Sequence, residues 1–149
     1  MKISENFTLE EFLVSQTAAR NGIDMTPPAD IEANIVRLVK TIMQPLRDVV
    51  GPLWVSSGYR PEELNTLIGG SKTSAHRFGC AADFRTFGLS TLDLAKKVVE
   101  MDLPYDQVIH EFGRWVHVGI RWDDKPIRKE TLTAYKDDNN ETVYGVGLF

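Results

Sequence analysis

The chain has 149 residues, 17 Lys+Arg against 21 Asp+Glu, 42% hydrophobic residues, three histidines and one cysteine. That length suits one domain with a real core, and a lone cysteine excludes an internal disulfide or a sulfur-rich zinc site. A net charge of −4 speaks against nucleic acid as a partner, and no apolar run approaches the ~18 residues of a membrane span.

The opening residues carry no apolar signal segment, so residence in the cytoplasm until release is expected. Thr8-Leu9-Glu10-Glu11 has the form of a capping box and predicts a helix through Phe12, Leu13 and Val14 to Arg20, stopped by Asn21-Gly22. After an irregular stretch ending in Pro27-Pro28, Ile31, Ile35, Leu38, Val39, Ile42, Met43 and Leu46 recur at three- and four-residue intervals. This is the buried stripe of a long helix, with Pro28 in its first turn and Pro45 crowding its last. Such a stripe is core, with no ligand role.

Beyond Gly51-Pro52 the pattern shortens. Leu53 to Ser57 reads as a strand, Glu62 to Leu67 as a helix closed by Gly69-Gly70, and Cys80 to Arg85 as a second strand. Ser90-Thr91-Leu92-Asp93 opens a helix over Leu92 to Met101. Gln107 to Glu111 and Trp115 to Trp122 form strands joined at Gly113, and Glu130 to Tyr135 with Glu141 to Val146 a terminal hairpin. Helices first and short strands later predict an α+β fold in one domain, 1–149, with N-terminal helices on a small, mainly antiparallel sheet.

Metal chemistry here must use histidine and carboxylate. His76 and Asp83 are seven residues apart across Gly79, Ala81 and Ala82, so a loop followed by a strand can bring both to one point. Imidazole nitrogen and carboxylate oxygen both suit zinc. His117 lies in Trp115-Val116-His117-Val118-Gly119, where alternation sets Trp115, His117 and Gly119 on the face opposite Val116 and Val118. By itself His117 could equally be packed beside tryptophan. The three together leave a fourth position open, the arrangement of a catalytic site. Glu111 is the nearest candidate base, and Arg60, at a strand end, could bind a carboxylate or an oxyanion. His110-Glu111 is not the start of a helical HExxH motif, because the second histidine position is Arg114.

In Ser56-Ser57-Gly58-Tyr59-Arg60, in Ser74-Ala75-His76 with Gly79, Ala82 and Asp83, and in Trp115-Val116-His117-Val118, the chain resembles the M15 zinc peptidases. This is the DD-carboxypeptidase and VanY-like group, which includes phage endolysins. Asn6 to Phe12, Pro27-Pro28 and Pro45-Leu46-Arg47 resemble one branch of it. The resemblance covers about residues 6–122, leaving 123–149 as a hairpin-like extension, and implies a hedgehog/DD-peptidase-like fold. It implies one zinc per chain held by His76, Asp83 and His117, with Arg60 contacting substrate and transition state and Ser74 lining the substrate site. Many members carry the acid/base glutamate three residues before the last histidine, here Arg114. Hedgehog-type relatives and the branch this chain resembles place it six before, at Glu111. His110 and Cys80 match no ligand position.

The implied activity is hydrolysis of peptide bonds in peptidoglycan stem peptides, as carboxypeptidase or endopeptidase, in cell-wall degradation or phage lysis. The expected partner is the stem peptide, with a monomeric enzyme, no nucleic acid and no membrane insertion. The alternative is a catalytically inactive, metal-stabilised binding or virion structural module of the same fold.

Overall fold

The stripe from Ile31 to Leu46 forms the helical spine. In the computed structural model, which describes residues 1–149, α2 (Ala29–Leu38) runs through a wider π turn, Val39–Met43, into α3 (Gln44–Val50). Pro45 explains the π turn. Its ring would press on the carbonyl of Thr41 in a regular helix, and it has no N–H to donate. The N–H of Gln44 instead reaches the carbonyl of Val39, five residues back. Pro45 therefore widens the helix in mid-course and does not end it, and Pro28 caps the helix from one residue outside.

The expected first helix is broken into two pieces, a 3-10 turn at Leu9–Phe12 and α1 at Gln16–Arg20. Glu11 does reach back to the N–H of Thr8 (2.7 Å). The break follows because the Phe12 carbonyl accepts from the N–H of Tyr59 (2.8 Å) and is lost to a helical ladder. Ser15 then caps a new start by accepting from the N–H of Ala18 (3.1 Å).

The strands are β1 (Trp54–Ser57), β2 (Ala81–Arg85), β3 (Gln107–Glu111), β4 (Trp115–Gly119), β5 (Glu130–Lys136) and β6 (Thr142–Val146), with α4 (Glu62–Leu67) and α5 (Thr91–Glu100) between them. They form one sheet in the order β1-β2-β4-β3-β5-β6. Every pairing is antiparallel except β3 with β5, which is parallel. The terminal hairpin is thus two further strands of the same sheet. β4 stops at Gly119, short of the expected Trp122, which stacks on Phe78 at 5.6 Å.

Alternation divides the sheet into two faces. Ala82, Phe84, Val108, Val116 and Val118 are fully buried and belong to one core with Ile35, Leu38, Ile42 and Leu46 of the spine and Leu94, Ala95 and Val98 of α5. The intervening residues Asp83, Ile109, Glu111, Trp115 and His117 line a cleft on the opposite face. Gly79 ties the layers together, ending the 3-10 turn Ala75–Phe78 at φ +69°. A Cβ there would fall 2.8 Å from Ile35 and 2.9 Å from the Ile31 carbonyl. Only glycine lets the His76 turn sit this close to α2. No helix is long and apolar enough to cross a membrane.

Candidate metal centre

β2 and β4 pair so that Asp83 and His117 are directly opposite each other, and Ile109 of β3 is opposite His117 on the other side. His76 arrives from the 3-10 turn, held by Ser74, whose hydroxyl accepts from the His76 N–H (3.3 Å). His117 Nδ1 lies 2.9 Å and His76 Nε2 3.3 Å from the same oxygen, Asp83 Oδ1. All three side chains are buried, and their ligand atoms lie within 4.8 Å of one another.

This set fits a zinc ion. Tetrahedral ligands at about 2.0–2.2 Å from zinc stand roughly 3.3–3.6 Å apart; His76 Nε2 is at that spacing from Asp83 Oδ1, and His117 Nδ1 is slightly nearer to it. His76 Nδ1 is 2.7 Å from the Gly58 carbonyl, so it carries the proton and leaves the Nε2 lone pair facing Asp83 and His117. Burial lowers the pKa of His76 and keeps it neutral, as a metal ligand must be. Burial opposes charge on Asp83, but the two imidazoles and their hydrogen bonds hold its carboxyl well below the usual carboxylate range. Burial also opposes charge on His117, yet Asp83 and Glu111 raise it above its ordinary value. Buried Asp83 and half-buried Glu111 lie beside one arginine, and a bound cation would balance the second carboxylate.

Glu111 Oε1 is 3.9 Å from His117 Nδ1, and its other oxygen accepts from the Trp115 indole N–H (3.0 Å). Burial raises the Glu111 pKa, and the charge of Asp83 adds to that. Arg114 is exposed in the β3–β4 turn and is not among the residues lining this cleft. The reason is the turn itself: it sets Glu111 opposite Trp115, so a residue six before His117 reaches the site while one three before it does not.

Arg60 donates from its terminal nitrogen to Asp83 Oδ2 (3.3 Å) and from Nε to Ser57 Oγ (3.2 Å). Its own N–H donates to the His76 carbonyl (3.0 Å). Arg60 and Ser74 both line the cleft, which has a volume of about 580 Å³. All six residues singled out in the sequence thus meet in one place. His110 does not: it is on the helix face, with Nε2 2.8 Å from Thr91 Oγ1 and Nδ1 2.9 Å from the Phe149 carbonyl. Cys80 lies in the core, its thiol pushed up to about 11 by burial, and is no ligand.

The cleft also includes Asp106, Arg128 and Tyr144, which the sequence did not single out. Asp106 is buried and accepts from the Arg128 backbone N–H (2.8 Å) and guanidinium (2.8 Å). Burial alone would raise its pKa, but these hydrogen bonds and the charges of Arg128 and Arg121 hold it below the ordinary value. A carboxyl lowered on folding stabilises the fold above its unfolded pKa, about 3.9. That stabilisation is lost as pH falls through the lower folded value. Asp106→Asn should therefore cost about 2–3 kcal/mol at neutral pH, and the gap from wild type should close below about pH 4. Urea unfolding at several pH values measures it. A gap independent of pH would exclude the charge as its cause.

A family model described as Peptidase M15 matches residues 5–119. No curated protein matches the chain at a significant level.

Proposed function

The chain belongs to the peptidase M15 family, and from that premise we propose that it is a zinc-dependent hydrolase of peptidoglycan stem peptides. The observation that supports this most is the convergence of His76, Asp83 and His117 in one cleft, with Glu111 Oε1 3.9 Å from His117. Zinc held by those three residues would supply Lewis-acid chemistry at the scissile carbonyl. Glu111, partly shielded from solvent, takes a proton from the attacking water and passes it to the leaving amine. The Trp115 N–H on its other oxygen keeps the carboxylate turned toward the site.

Arg60 is held in place by Ser57 and Asp83, so its remaining donors can meet the negative charge that develops on the substrate. Ser74 offers a hydroxyl on the same rim. The protein acts as a monomer on the bacterial wall, in cell-wall degradation such as phage lysis. Purified muropeptides incubated with the protein should release a peptide fragment or an amino acid, identified by mass spectrometry. A chelator should abolish the release, and added zinc should restore it. A protein that binds zinc and cuts no muropeptide would overturn the proposal and leave a metal-stabilised binding module.

A further inference from the structure

The family match ends at residue 119, yet the cleft continues over β5 and β6. Glu111 is paired with Ala134 of β5, and Ala134 with Tyr144 of β6. Residues abreast in neighbouring strands project to the same face. Tyr144 therefore shares a row with Glu111, with only the methyl group of Ala134 between them. Two strand spacings put the two backbones about 10 Å apart, and both side chains line the same cleft.

Tyr144 is held from behind. A Cβ on neighbouring Gly145 would fall 2.8 Å from the Phe149 ring, which packs on Tyr135 at 5.8 Å. Thr133 donates to the Gly147 carbonyl (2.8 Å) and accepts from the Phe149 N–H (3.0 Å), tying the end of β6 to β5. The tyrosine itself is 56% exposed and lines the cleft with Arg60 and Glu111.

The strand order gives the cleft a direction. Arg60 follows β1, Asp83 is on β2, His117 on β4, Glu111 on β3 and Tyr144 on β6. If Glu111 delivers the proton to the leaving amine, as the proposed function has it, the amine side of the substrate lies toward β5 and β6. We propose that Tyr144 is a substrate-binding residue that holds the residue on the amine side of the scissile bond, its phenol O–H donating to a carbonyl or carboxylate oxygen there. Partial burial and the charges of Glu111 and Asp83 raise the phenol above its ordinary value.

The test uses the full chain and compares wild type with Tyr144→Phe and Tyr144→Ala on a muropeptide that wild type cleaves. Tyr144→Phe should lower kcat/KM about 5–10-fold, the weight of one hydrogen bond, and Tyr144→Ala should lower it further. Inhibition by the released amine-side fragment should weaken by a similar factor. Inhibition by the carboxyl-side fragment, bound zinc and the unfolding midpoint should stay as in wild type. Unchanged kcat/KM, or equal weakening by both fragments, would overturn the assignment of Tyr144 while leaving the peptidase reading intact. A wild type that cuts nothing would overturn the role of Glu111 and this inference with it.

Discussion

Glu111→Gln should keep its zinc and lose about 10²–10⁴-fold in kcat, the usual weight of a general acid–base group. Glutamine keeps the length of the side chain and can still accept from the Trp115 indole, a bond of 3.0 Å in the wild type. What it loses is the ability to take and return a proton. Metal content by elemental analysis and kcat on a muropeptide separate the two effects. The acidic limb of the wild-type pH profile should also vanish, since a base must be deprotonated to work and that limb reports its titration. A variant that still cleaves at the wild-type rate with zinc bound would remove Glu111 from the mechanism.

Asp83→Asn should abolish activity by a different route, through the metal. The carboxylate oxygen Oδ1 is the atom both histidines approach, at 2.9 and 3.3 Å, and an amide oxygen is a much poorer zinc ligand. Substituting groups that merely orient a ligand already costs 10–100-fold in affinity. Losing this ligand should cost at least about 100-fold, read by zinc titration against a competing chelator. The fold should persist, because Ala82 and Phe84, on either side in β2, hold the strand in the core. Far-ultraviolet circular dichroism checks that. Zinc affinity unchanged in this variant would exclude Asp83 from the site.

The fold was legible wherever the pattern is local. The helices Glu62–Leu67 and Thr91–Glu100, the strand Gln107–Glu111 and the terminal hairpin lie within a residue or two of the spans that periodicity predicts, while β4 ends three residues early. The failures were non-local in cause. Nothing in Phe12-Leu13-Val14 says that the Phe12 carbonyl will be taken by Tyr59, so the local pattern predicts one helix where two short pieces stand. Similarly, the parallel pairing of β3 with β5 cannot be seen in either strand, because both alternate in the same way whichever direction the neighbour runs.

The site divides along the same line. Residue type and order made His76, Asp83, His117, Glu111 and Arg60 candidates, because metal ligation and proton transfer admit few side chains and this chain has only three histidines to offer; Ser74 came only from the family resemblance. Asp106, Arg128 and Tyr144 bear no such mark, and a tyrosine on a hairpin looks like any other. Tyr144 faces the cleft only because β5 joins β3 and sets Glu111, Ala134 and Tyr144 abreast. The sequence determined which groups can do the chemistry. Tertiary structure decided which residues stand beside them, since that depends on strand order and register, set by contacts between segments far apart in the chain.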